Sequence, residues 1–214
     1  LRGQHARRRG PHLDARAPRT RLRDLIPAAR AQGSNGYDAA ALEVAFAFSL
    51  SDLDFIRGLA GRVARQAADE GTQLLRGFMF DELYRTYELP KRCGGKRRIT
   101  VPSDALKRLQ RRFVDRGFRE VALPGSAHGF RPRRSIVTNA EAHTGQRVVM
   151  NVDIDDFFSS TRYDRIVGAC RKLCGGKLTR AAALLVADVC SFRGALPTGA
   201  PTSPDIGNIV LAGI

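Results

Sequence analysis

The sequence predicts a mixed domain of helices and strands, α/β or α+β in class, on three observations. Helical periodicity and short apolar runs alternate along the chain from Tyr37 onward. Two loops rich in Gly and Pro, at 124–132 and 196–204, punctuate them. A length of 214 residues, 43% hydrophobic, suffices to bury the core of one sizeable domain, or of one and a short appendage. That composition excludes collagen, a disulfide-dense miniprotein and a wholly disordered chain. The 36 Lys and Arg against 21 Asp and Glu leave a net charge of +15, which points to a polyanionic partner, nucleic acid before an acidic membrane surface.

The elements follow in order. The first thirty residues hold nine Arg and two acidic residues, interrupted by Pro11, Pro18 and Pro27. Residues 1–35 therefore cannot bury enough apolar surface to offset their ordering entropy, and are expected to form a disordered basic tail or a nucleic-acid-binding arm. Leu1 rather than Met opens the chain, an indication that this is not a native start. Ala39–Phe48 and Asp52–Gln66 read as helices, the second with Ser51 as N-cap. A short helix at Asp81–Tyr84 leads to a basic hairpin, with Tyr87–Pro90 as the approach, Gly94-Gly95 at the tip and Ile99–Val101 as the return. Ser103 is the expected cap of a helix Asp104–Phe113, apolar along Leu106, Leu109 and Phe113 and basic along Lys107, Arg108, Arg111 and Arg112. Ile136–His143 reads as a short helix and Arg147–Ile154 as a buried strand. Helices Tyr163–Leu173, Leu178–Phe192 and Ile206–Ile214 complete the series.

Four cysteines, Cys93, Cys170, Cys174 and Cys190, make no disulfide framework at this length and fit a reducing cytoplasm. Cys170 and Cys174 lack the partners of a zinc set and read as core residues. His128 and His143 have no adjacent nucleophile and read as structural. The most apolar stretch, Ala39 to Leu50, contains Glu43 and is too short to span a bilayer. The Arg-rich N-terminus has no apolar run behind it and is no secretory signal.

The sharpest chemical feature is Asp153-Ile154-Asp155-Asp156-Phe157-Phe158, directly after the apolar run Val148–Val152. Carboxylates at a strand end offer hard oxygen ligands to Mg²⁺, which is usually completed by water and substrate phosphates. The structural alternative is that these acids cap a helix beginning near Ser160. The hairpin cations Lys91, Arg92, Lys96, Arg97 and Arg98 can close over a triphosphate, or form no more than a solvated turn. The loop Leu196–Pro204 holds three prolines, which make it a stiff platform for positioning substrate or a stiff connector.

In this order the segments resemble a retron-type bacterial reverse transcriptase. Leu89–Pro102 is similar to the family's fingers hairpin, and the Leu106–Arg111 helix follows it. His128-Gly129-Phe130-Arg131 through Arg134-Ser135-Ile136-Val137 resembles its HGF…RSI block. Asn139-Ala140-Glu141-Ala142-His143 matches the signature that separates retron enzymes from intron and retroviral relatives. Val152–Phe158 resembles the palm motif with the first catalytic aspartate, and Leu196–Pro204 resembles the LPQGAPTSP loop. Five modest blocks in the right order, across roughly residues 80 to 208, are specific together.

The resemblance implies an α+β right-hand polymerase fold, with an N-terminal helical region at 36–86, fingers at 87–146 and a partial palm at 147–214, the thumb absent. It implies RNA-directed DNA polymerisation by two-metal phosphoryl transfer to a primer 3′-OH, with Mg²⁺ as cofactor. Asp153 would be the catalytic metal ligand, helped by the Ile154 carbonyl. Lys91, Arg97, Asp156, Phe157, Phe158, Thr198 and Gly199 would bind the deoxynucleoside triphosphate, Phe158 excluding a 2′-OH by bulk. Lys107, Arg111, Arg131, Arg134, Asn139, His143, Pro201 and Ser203 would meet nucleic acid. The implied partners are a structured retron RNA serving as template and primer, an RNA–DNA duplex and an effector protein in phage defence, without a membrane.

Three departures qualify the match. Thr198 stands where the family usually has Gln, Arg133 where it usually has Gly, and no aromatic-x-Asp-Asp box precedes Ile214. The chain is therefore expected to be a truncated fragment, inactive alone. Rival readings are a non-catalytic RNA-binding remnant, a group II intron-type maturase, and a basic interaction protein whose acids only start a helix.

Overall fold

The computed structural model describes residues 40, 41, 44, 45, 53–70, 80–91 and 94–213. The basic segment 1–35, most of the helix expected at Ala39–Phe48, the Ser51 cap, Arg92 and Cys93 lie outside the described residues. Among those described, the elements are α1 (Leu53–Glu70), a 3-10 turn (Asp81–Leu83), β1 (Tyr84–Pro90), β2 (Lys96–Pro102), α2 (Asp104–Arg116), a 3-10 turn (Phe118–Glu120), α3 (Ile136–Glu141), α4 (Phe157–Ser160), α5 (Tyr163–Arg171), a 3-10 turn (Leu173–Gly176), α6 (Arg180–Cys190) and α7 (Ser203–Leu211). The chain is thus a mixture of helix and strand, as expected.

The helices form where apolar residues recur on one face. In α2, Leu106, Leu109, Gln110 and Phe113 are buried, at the i, i+3, i+4, i+7 spacing of a single stripe, while the basic residues take the other side. Ser103 stands at the N-cap position of α2, but its side chain makes no capping hydrogen bond. Helix α6 is buried along nearly its whole length and lies at the centre, packed against α5 and α2; α5 also packs on α7. Thr179 caps α6 by accepting from the Ala182 N–H at 3.2 Å. Cys170 and Cys190 are fully buried in this core, in keeping with a packing role, and burial pushes the Cys190 thiol up to about 12. Among the described residues no helix is long and apolar enough to cross a membrane.

Strands β1 and β2 pair antiparallel from Tyr84↔Pro102 to Pro90↔Lys96, a longer hairpin than the sequence suggests. Gly94 and Gly95 have φ of 86° and 79°, a left-handed path that a side chain would oppose. The base of the hairpin is fixed by a polar knot. Gln110 Nε2 donates to Tyr84 Oη and to the Val189 carbonyl, each at 2.8 Å, and Tyr84 Oη donates to the same carbonyl at 3.0 Å. The knot ties β1 to α2 and α6, and from this anchored end the basic tip projects into solvent.

One expectation fails. The run at 147–154, read as a buried strand, forms none: Val148 is 83% exposed and Met150 and Val152 are each 82% exposed. A strand's backbone groups need a neighbour to bond with, and the β1–β2 hairpin, the one sheet among the described residues, does not reach this stretch.

Candidate nucleotide and nucleic-acid site

The proline loop joins two blocks far from it in sequence, one of them the edge of β2. The Gly199 N–H donates to the Thr100 carbonyl at 2.9 Å, which lays the Leu196–Pro204 loop along the strand. Thr198 Oγ1 accepts from the Thr100 N–H at 3.1 Å and donates to the Arg98 carbonyl at 3.2 Å. A Cβ on Gly199 would lie 2.4 Å from Val101 Cγ1 and 2.8 Å from the Thr100 carbonyl oxygen, so only glycine allows this approach. At the other end of the loop's docking, the Leu196 N–H donates to the Phe158 carbonyl at 3.1 Å. The hairpin, the Phe157-Phe158 pair and the proline loop therefore form one contiguous unit.

Phe157 and Phe158 are half-buried and meet edge to face, with ring centroids 5.5 Å apart. Gly207 of α7 makes room for them: a Cβ there would sit 2.9 Å from Phe157 Cε1. Asp156 precedes them at φ 45° and ψ 38°, a left-handed residue at the N-cap of α4 whose side chain makes no capping bond. The alternative in which these acids cap a helix through their side chains thus finds no support at Asp156.

Lys91 and Arg97 are exposed on the projecting hairpin, and Arg97 and Arg98, as neighbours on β2, point to opposite faces. Asp153 and Ile154 are exposed in the open stretch before α4. Among the described residues no three His, Cys, Asp or Glu side chains gather so as to hold a metal ion. Two divalent ions need several anionic oxygens, so these residues do not by themselves fit a two-ion Mg²⁺ site.

The residues expected to meet nucleic acid divide into separate groups. Lys107 and Arg111 lie on the basic side of α2. Arg134, Asn139 and His143 are exposed around α3, whose start is held by a capping box between Ser135 and Thr138. His128 Nδ1 lies 3.0 Å from Thr138 Oγ1, a structural role that joins the HGF and RSI blocks. Arg131 turns inward, donating to the Pro124 and Ala127 carbonyls at 2.8 and 3.1 Å. Pro201 is half-buried. Ser203 does not face a ligand: it is 1% exposed, and its hydroxyl donates to the Pro197 carbonyl at 2.6 Å, bracing the loop from within.

Two residues escaped the sequence reading. Asn208 Nδ2 donates to the Gly129 carbonyl at 2.8 Å and fastens the HGF turn to α7. Asp205, one turn earlier, is half-buried, and burial pushes its carboxyl up to about 6. Neither stands in a motif, so only the fold reveals them.

No family model matches the chain. Curated relatives do. The chain is 38% identical over 189 residues to the Retron Mx162 reverse transcriptase of Myxococcus xanthus, covering 78% of this chain and 38% of the relative. It is 38% identical over 144 residues to the Retron Mx65 reverse transcriptase of the same organism, covering 60% of this chain and 34% of the relative. To the Retron Ec86 reverse transcriptase of Escherichia coli it is 30% identical over 132 residues, 61% of this chain and 40% of the relative. The matches span no more than 40% of the length of these relatives. Over the segment it shares with them, the chain belongs to the retron-type reverse transcriptases.

Proposed function

We propose that this chain is the nucleotide- and template-holding part, fingers and part of the palm, of an RNA-directed DNA polymerase of retron type. The observation that carries the reading is the proline loop, docked on the basic hairpin at β2 and bonded to the Phe157-Phe158 pair through Leu196, in a chain whose relatives are named reverse transcriptases. The reaction would join a deoxynucleotide to a primer 3′-OH and release pyrophosphate. In it, Lys91 and Arg97 grip the triphosphate from the hairpin, Arg97 with the two-pronged geometry that suits phosphate oxygens. Phe158, wedged between the loop and α7, sets the floor under the sugar and selects against a 2′-OH by bulk. Gly199 lets the loop lie close to the strand, so the hairpin and the loop present one surface. The basic side of α2 meets the phosphates of a structured RNA template or of an RNA–DNA duplex.

Asp153 supplies one carboxylate toward Mg²⁺, and the polymerising form needs further carboxylates to complete that site. The described residues alone therefore bind RNA without extending a primer. The test uses a form extended to the length of the curated relatives. Asp153→Ala is expected to lower primer extension by at least about a thousandfold while RNA affinity stays within about twofold. Normal extension by that variant would remove Asp153 from the mechanism.

A further inference from the structure

The 3-10 turn Phe118–Glu120 with the segment after it, the turn Phe130–Arg133, and α7 at Asp205 line a cavity of about 280 Å³ that opens to solvent. That is room for one planar base, at the small end of ligand pockets. Its rim carries Arg119, Arg131 and Arg133, and its walls include Phe118, Val121 and Phe130.

Three features mark it as more than a gap between elements. Phe130 and Arg133 have φ of 56° and 60°, a left-handed conformation strained for side-chain-bearing residues, at two positions of one short turn. The turn holds the Phe130 ring 71% exposed, where it gains nothing from the core. Asp205 lines the cavity within the electrostatic reach of Arg119, whose guanidinium also pairs with Asp115, while Arg131 bonds two carbonyls. Burial raises its carboxyl to about 6, against the opposing pull of Arg119 and of its own backbone N–H, and a carboxylate with one such bond keeps further acceptor positions.

We propose that this cavity takes one unpaired guanine base of a bound RNA. Asp205 accepts the parallel N1–H and 2-amino donors of guanine, Phe130 stacks on its face, and Arg133 meets its phosphate. A carboxylate accepts two parallel N–H bonds along one edge, and among the four bases only guanine presents two adjacent donors there. That edge is consumed in Watson–Crick pairing, so only an unpaired base offers it. The arginine rim on a chain of net charge +15 favours a polyanion over a neutral small molecule. The inference rests on the reading that the chain binds RNA, and it adds a base-reading site apart from the nucleotide-binding edge of β2.

The experiment measures fluorescence anisotropy of the 214-residue chain with labelled RNA pentamers UUGUU and UUAUU. UUGUU is expected to bind about tenfold more tightly. Asp205→Asn, which keeps the shape and makes one edge atom a donor, is expected to bring UUGUU to the UUAUU level. Phe130→Ala, at an exposed position where the fold loses little, is expected to weaken both pentamers. Equal binding of the two by the unchanged chain, or a preference that survives Asp205→Asn, overturns the guanine site and leaves RNA binding standing. Phe130→Ala with both affinities unchanged overturns it as well. Failure of the unchanged chain to bind any RNA overturns the RNA-binding reading and this inference together.

Discussion

Asp205 is held at a cost that its pH dependence will expose. Its folded carboxyl sits at about 6 against an ordinary 3.8, chiefly because burial disfavours the charged form, with Arg119 opposing that shift and Asp115 adding to it. Between those values the folded chain keeps a proton that the unfolded chain has released. The contribution of this group to stability is therefore greatest below pH 3.8 and falls as pH rises through 6. Asp205→Asn removes the charge without changing the shape, so it is expected to melt above the unchanged chain at pH 8 and alongside it near pH 4. Thermal melts at the two pH values check this, and a difference that does not vary with pH assigns the effect to packing instead. A residue whose replacement stabilises the fold but erases a base preference has the profile of a functional group rather than a structural one.

At the scale of elements, the junction between the proline loop and β2 turns on Thr198. Its hydroxyl takes both a donor and an acceptor of the strand edge, the Thr100 N–H and the Arg98 carbonyl, so a side chain does what a third strand's backbone would do. At the position where the family usually has Gln, Thr198 clasps the loop to the hairpin. Thr198→Val keeps the branched shape and loses both bonds, an expected loss of about 1–2 kcal/mol, with faster hydrogen exchange at the Thr100 amide. Thr198→Ser should restore the protection, and an unchanged Thr100 amide in the Val variant would mean that the Gly199 bond alone holds the loop.

The hairpin and helices α2, α5, α6 and α7 are legible in the sequence because their signals are local: Gly94-Gly95 at a turn, Leu106 to Phe113 at helical spacing, an apolar run from Ile206, although α7 already begins at Ser203, inside the segment read as loop. The run at 147–154 was misread because an apolar β-branched sequence states a preference for a strand, while the hydrogen bonds that make one come from elsewhere. The Thr198 clasp, the Asn208 tether and the Asp205 cavity were invisible for the same reason. Each joins residues roughly 80 to 100 positions apart, and no local pattern encodes such a partner.

For the molecule as a whole, charge and site geometry predict separable effects on RNA binding. With 36 Lys and Arg and a net charge of +15, much of the affinity for RNA should come from counterions released as cations meet phosphates. Contact with about three phosphates of a single-stranded pentamer would lower affinity about twentyfold between 50 and 200 mM salt. Lys107 and Arg111, on the basic side of α2 and remote in sequence from Asp205, are placed to supply two of those contacts. Lys107→Ala and Arg111→Ala are each expected to reduce the slope of log affinity against log salt by about one, and to weaken UUGUU and UUAUU equally. Asp205→Asn should do the reverse, erasing the difference between the pentamers while the cation-derived slope persists, because it removes a base contact rather than a phosphate contact. Salt titrations of both pentamers against the three variants separate the terms. If Lys107→Ala or Arg111→Ala changed the preference between the pentamers, α2 would be reading bases rather than tracking the backbone.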